Sequence, residues 1–113
     1  MTDYSEEVMN LISKHKYNGF EWWKSIKLLS FEANLTDEEM KEELSGCRDL
    51  HFIEKQKRNG EIRYTLYFVY GRRSGRFYVI TFRSKIRVIT VHQMGSKTLN
   101  KYFRRRFKKN ENI

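Results

Sequence analysis

His92, Glu54, Arg63, Arg83 and Tyr67 are the side chains of this sequence whose types, and whose alternation along strand-like segments, could do chemistry together. Cleaving RNA without a metal takes one group to accept the 2′-hydroxyl proton, one to protonate the leaving 5′-oxygen, and cations to hold the phosphate as charge builds. The imidazole of His92 can give or take a proton, a carboxylate such as Glu54 can serve as base, and guanidinium groups at Arg63 and Arg83 can clamp a phosphate through paired hydrogen bonds. The phenol of Tyr67 offers a ring for base stacking. The placement is uneven. Glu54, Arg63 and Arg83 gather toward one end of the expected sheet and His92 toward the other, beside Phe77, so at most one end is a centre of chemistry. For Glu54, Arg63 and Arg83 the alternative is a cross-strand charge network, and for a lone strand histidine an ordinary hydrogen-bonded or surface position.

Charge divides the chain that carries these groups. From Arg48 to Ile113 there are 18 Lys+Arg against 4 Asp+Glu, net +14, whereas Met1 to Cys47 has 5 against 10, net −5. A field this one-sided suits a polyanion, and nucleic acid, RNA or DNA, is the first candidate. An aromatic content of 15 % argues against disorder, and 113 residues suffice for a single domain spanning 1–113. No apolar run long enough for a signal peptide or membrane span is present, and the lone Cys47 has no internal disulfide partner, so a cytoplasmic protein is expected. His51 and His92 are scattered and a second cysteine is lacking, so neither a metal site nor a cofactor is expected.

Periodicity predicts three parts: an acidic helical part over 1–47, an antiparallel sheet over 48–95 and a basic helix over 96–109. Asp3-Tyr4-Ser5-Glu6 reads as a capping box before a helix carrying Val8, Met9, Leu11 and Ile12. Phe20 to Phe31, with Trp22 and Trp23, reads as a second helix and as a candidate homodimer contact. Thr36-Asp37-Glu38-Glu39 caps a third helix that stops at Gly46. Asn59-Gly60, Gly71 to Gly75 and Ser84-Lys85 then separate four strand-like runs. After Ser96, Leu99, Phe103 and Phe107 form an apolar stripe beside Lys97, Lys101, Arg104, Arg105, Lys108 and Lys109. The fold class is α+β: N-terminal helices, a four-stranded antiparallel β-meander and a C-terminal basic helix.

Tight turns set register. A two-residue loop at Ser84-Lys85 puts Arg83 opposite Ile86 and Ile80 opposite Ile89; a Gly71 to Gly75 loop puts Tyr70 opposite Arg76; Asn59-Gly60 puts Arg58 opposite Glu61. One face then holds Ile53, Ile62, Tyr64, Leu66, Phe68, Tyr78, Ile80, Phe82, Ile89 and Val91, the expected core. The other holds Glu54, Gln56, Arg63, Thr65, Tyr67, Thr81, Arg83, Thr90 and His92, with Phe52, Val69, Phe77, Val79 and Val88, and is the expected site.

Leu35-Thr36-Asp37-Glu38-Glu39-Met40, Arg63, the run from Gly71 through Arg72, Arg73 and Arg76 to Ile80, Arg87-Val88-Ile89-Thr90-Val91-His92, and Lys101-Tyr102-Phe103 resemble BrnT-like proteins of the RelE/ParE toxin superfamily. The resemblance covers about two-thirds of the chain. It implies a compact ribonuclease toxin of a type II toxin–antitoxin system that stops translation and is silenced by an antitoxin protein. By carry-over, Arg63 and Arg76 match family arginines and Tyr102 the tyrosine of the basic helix. His92 stands where the BrnT-like pattern has arginine. The expected function is thus a metal-independent endoribonuclease with His92 as acid or base, Arg63, Arg76 and Arg83 on phosphate, and Tyr67 or Tyr102 positioning a base. The alternatives are a non-catalytic nucleic-acid-binding protein that grips the backbone through the same face and helix, and a toxin fold that has lost its activity.

Overall fold

A computed structural model describes residues 4–101. The chain is α+β, and its sheet has five strands in the order β1-β5-β4-β3-β2. These are β1 (Phe20–Trp22), β2 (Leu50–Arg58), β3 (Glu61–Val69), β4 (Gly75–Phe82) and β5 (Ile86–Met94), accompanied by helices α1 (Ser5–His15), α2 (Ile26–Glu32) and α3 (Asp37–Gly46). β1 runs parallel to β5 and the other pairings are antiparallel. The expected four-stranded meander is therefore incomplete. The segment read as one helix from Phe20 is a three-residue edge strand followed by a shorter helix. Gly19 turns the chain with φ +94°, and Phe20 to Trp22 then pair with Ile86 to Val88. Residues 96–101 are helical, as the charge and apolar pattern predicts.

The helices form for local reasons. In α3 the Thr36 side chain accepts from the Glu39 N–H at 3.1 Å while Glu39 Oε1 accepts from the Thr36 N–H at 3.0 Å, which is the expected capping box. Met40 and Leu44, one turn apart, are buried beneath it. α1 buries Val8 and Ile12 in the same way, but Tyr4 occupies its N-cap position without a side-chain cap, and Asp3 lies outside the described residues. The three helices cover one sheet face, where Ile53, Tyr64, Leu66, Phe68, Tyr78, Ile80, Ile86, Val88 and Val91 are buried. Polar ties hold the layers together. Gln93 donates to the Ala33 carbonyl at 2.7 Å below α2, and the Tyr64 hydroxyl donates to Glu7 of α1 at 2.5 Å.

Register departs from expectation at two of the three turns. Arg58 pairs with Glu61 and Ile53 with Leu66 as read, because Asn59 (φ +52°) and Gly60 (φ +80°) supply the two left-handed residues of a tight hairpin. Between β3 and β4, Val69 pairs with Gly75 rather than Tyr70 with Arg76. That slip of two leaves every side chain on its predicted face. Between β4 and β5, Phe82 pairs with Ile86, and a bulge beside Val79/Ile80 absorbs Ile89 before Val79 meets Thr90. The odd slip below the bulge moves Val88 into the core and leaves Ile89 half-buried, reversing both assignments. Ile62, expected in the core, is 41 % exposed near the hairpin tip.

Gly75 is required by packing. A Cβ there would sit 2.8 Å from the Phe68 carbonyl, 3.0 Å from Met94 Cε and 3.2 Å from Leu99 Cδ2. The backbone oxygen cannot yield, so Gly75→Ala is expected to cost about 1–3 kcal/mol. A thermal melt checks this; an unchanged midpoint contradicts it.

Candidate functional site

On the sheet face away from α1, α2 and α3, the pairing lays side chains out in rows. Phe52, Tyr67, Phe77 and His92 stand side by side across β2, β3, β4 and β5. Their ring centroids are separated by 6.2, 5.8 and 5.3 Å in turn. His92 is exposed and Phe77 half-buried, and the Thr90 hydroxyl lies 3.1 Å from His92 Nε2. The next row along the strands is Glu54, Thr65, Val79 and Thr90, and the row beyond it Gln56, Arg63, Thr81 and Arg87. Leu99, on the turn of helix after β5, is buried against Gly75 and Met94 at the His92 end.

The proposed acid–base and phosphate groups fall into separate places on this lattice. Glu54 accepts from the Tyr67 hydroxyl at 2.5 Å. Three strand spacings, about 14 Å, separate it from the β5 strand that carries His92. Arg63 and Arg83 share Glu61, at 2.8 and 3.2 Å, at the opposite end of the face. Arg87 binds Glu21 of β1 through two nitrogens at 3.2 and 3.1 Å and lies over the Trp23 ring at 5.0 Å. Arg76 is on the other face altogether, paired with Glu43 of α3 at 2.7 Å. Burial works against its charge, but the hydrogen bond and charge of Glu43 outweigh that and raise the guanidinium above its ordinary pKa. Arg76 is therefore a fastening of α3 to the sheet, which corrects the expectation that it joins the His92 group.

Four predicted cations remain near the ring row: Arg72 and Arg73 in the β3–β4 loop, and Lys97 and Lys101 after β5. All four are exposed, and among the described residues none has an ion-pair partner. Both segments lie at the end of the sheet where β3 and β5 finish, the His92 end. Tyr102, Arg104, Arg105 and Lys108 lie outside the described residues. On the helix side of the same end a cleft of about 340 Å³ is lined by Glu39, Glu42, Glu43 and Asp49 together with Arg48 and Arg76. Among the described residues no cluster of His, Cys, Asp and Glu could hold a metal ion. Cys47 closes α3 in a left-handed conformation with its thiol donating to the Leu44 carbonyl, and burial pushes its pKa up to about 11. It is a packed, unreactive thiol at neutral pH. No helix among the described residues is long and apolar enough to cross a membrane.

Sequence reading missed the ring row as a unit. Its signal was the Tyr70 N–H to Ser74 carbonyl closure of the β3–β4 loop, which sets Tyr67 opposite Phe77 instead of Val79. Comparison of the chain with protein-family models, curated proteins and solved structures finds no match to any of them.

The ion pairs carry a pH signature. Glu7 is held below the ordinary carboxylate value of 4.5 by the hydrogen bonds of Lys55 and Tyr64, Glu21 by Arg87, Glu39 by the Thr36 N–H, and Glu61 by Arg63 and then Arg83. A depressed folded pKa means stability that is present above pH 4.5 and lost as the pH falls through the folded values. Melting temperature is thus expected to hold from neutral pH down to about 5 and to drop below about 4.5. The Glu61→Gln variant should start lower and lose less across the same interval. Parallel curves for the two proteins contradict the assignment.

Proposed function

We propose that the chain is a nucleic-acid-binding protein whose contact surface is the His92 end of the face away from the helices. One observation carries this reading: four exposed cations that have no ion-pair partner among the described residues, Arg72, Arg73, Lys97 and Lys101, flank the ring row, while Arg63, Arg76, Arg83 and Arg87 are each engaged by a carboxylate. Exposed cations near a polyanion release counterions, and an exposed imidazole beside a half-buried phenyl ring offers surface to a base. The cleft beside α3 at the same end sets four carboxylates against the guanidinium groups of Arg48 and Arg76, a net negative balance that disfavours the phosphate backbone on that side. Fluorescence anisotropy with a labelled unstructured RNA tests the reading: binding that weakens steeply with salt is expected, and its absence at low salt refutes it.

Cleavage of the bound RNA, the activity expected of a BrnT-like toxin, is the second reading. It is favoured by the exposed His92 with its ring 5.3 Å from Phe77, beside unpaired cations. With Glu54 engaged by Tyr67 across the sheet, His92 would be the principal proton-transfer group. Incubation with RNA in the presence of a chelator separates the two readings. Product formation that His92→Ala abolishes without weakening binding establishes catalysis; intact RNA in complex leaves binding alone.

A further inference from the structure

We propose that α2 is a self-association surface through which two copies of this chain pack in parallel about a two-fold axis. Leu28 and Phe31 are 63 % and 80 % exposed, whereas Ile26 and Ser30 of the same helix are buried. Three residues apart, Leu28 and Phe31 form one apolar stripe on the outside of the molecule. Lys27 flanks the stripe on one side and Glu32 on the other; both are exposed, and among the described residues neither has an ion-pair partner.

That arrangement is one coiled-coil heptad, with Leu28 at a, Phe31 at d, Lys27 at g and Glu32 at e. In a parallel pair, a g side chain reaches the e side chain five positions further along the second helix. Lys27 of each copy therefore meets Glu32 of the other, twice across the axis. An antiparallel pair places lysine beside lysine and glutamate beside glutamate, and is disfavoured. The stripe is seven residues of helix, so the contact falls below the area of a standard interface and the dimer is weak, with a dissociation constant of about 0.1 mM. α2 covers the helix side of the sheet, so the second copy leaves the His92 face uncovered. The proposal is independent of nucleic-acid binding.

Sedimentation equilibrium over concentrations spanning that constant tests it. Wild type is expected to rise from monomer toward dimer mass. Phe31→Glu should weaken the association by about tenfold or more while its melting curve is unchanged, since the ring is on the surface. Lys27→Glu should weaken it too, and adding Glu32→Lys to that variant should restore it. A monomer at every concentration, or association that Phe31→Glu leaves intact, overturns the proposal. Failure of the double variant to recover overturns the parallel arrangement.

Discussion

Glu43→Ala is expected to lower the melting temperature more than any other single substitution on the surface of α3. Three donors converge on this carboxylate: Arg76 at 2.7 Å, the Tyr78 hydroxyl at 2.6 Å and the Tyr70 hydroxyl. The Glu43 side chain is 14 % exposed and that of Arg76 18 %, so water reaches the pair poorly. Tyr78 itself is fully buried. Removing the acceptor strands a mostly buried guanidinium and the buried Tyr78 phenol, while the exposed Tyr70 hydroxyl can turn to water, and breaking such a pair from one side costs about 3–5 kcal/mol, toward the lower end here because some solvent remains. For a domain of this size the loss reads as a fall of roughly 10–15 °C. Glu43→Gln keeps an acceptor for the phenols and should lose less. The same hub sets an upper pH limit, since burial and the hydrogen bond to Glu43 raise the pKa of Tyr70 and Tyr78. Raised folded values give stability that is intact below about pH 10 and lost at more alkaline pH. A Glu43→Ala protein that melts within a few degrees of wild type contradicts the role given to the hub.

The second large effect concerns binding. Replacing Arg72 and Arg73 together by alanine should remove two phosphate contacts while leaving the fold untouched, because both side chains are exposed and neither has an ion-pair partner among the described residues. For a single-stranded ligand each contact contributes about 0.7 to the slope of log affinity against log salt, so the slope should become shallower by about 1.4. Phe77→Ala acts differently. It removes stacking surface without removing charge, and should cost about 1–3 kcal/mol of affinity at every salt concentration with the slope unchanged. Arg76→Ala should instead destabilise the fold, because its partner is Glu43 and not the ligand.

Much of the sheet was legible because its hairpins are short. Asn59-Gly60 admits essentially one turn, so the β2–β3 register followed from two residues. The β3–β4 slip did no harm to the face assignment because it was even, and Glu54, Arg63, Tyr67, Phe77, Thr90 and His92 lie on the side expected. The β4–β5 slip was odd, and only the bulge at Ile89 returned Thr90 and His92 to their expected face. β1 was illegible because three residues are too few to show a period of two, and its pairing with β5 is set 66 residues away in sequence, as the Glu21–Arg87 pair illustrates. Separation in sequence also hid the division of the arginines. Alternation places Arg76 on the face of Tyr78, apart from Arg72 and Arg73 in the loop, but that Glu43, 33 residues upstream, claims it is not written in the local sequence. Partner assignment is a property of the fold, and it decides which cations remain for a ligand.

The most direct test of the central claim is a salt titration of anisotropy with a labelled unstructured RNA, for wild type and for the Arg72→Ala, Arg73→Ala double variant. The account predicts binding by both at low salt, a linear fall of log affinity with log salt, and a slope shallower by about 1.4 in the variant. Wild type that fails to bind at low salt, or a variant whose curve superimposes on wild type, contradicts it.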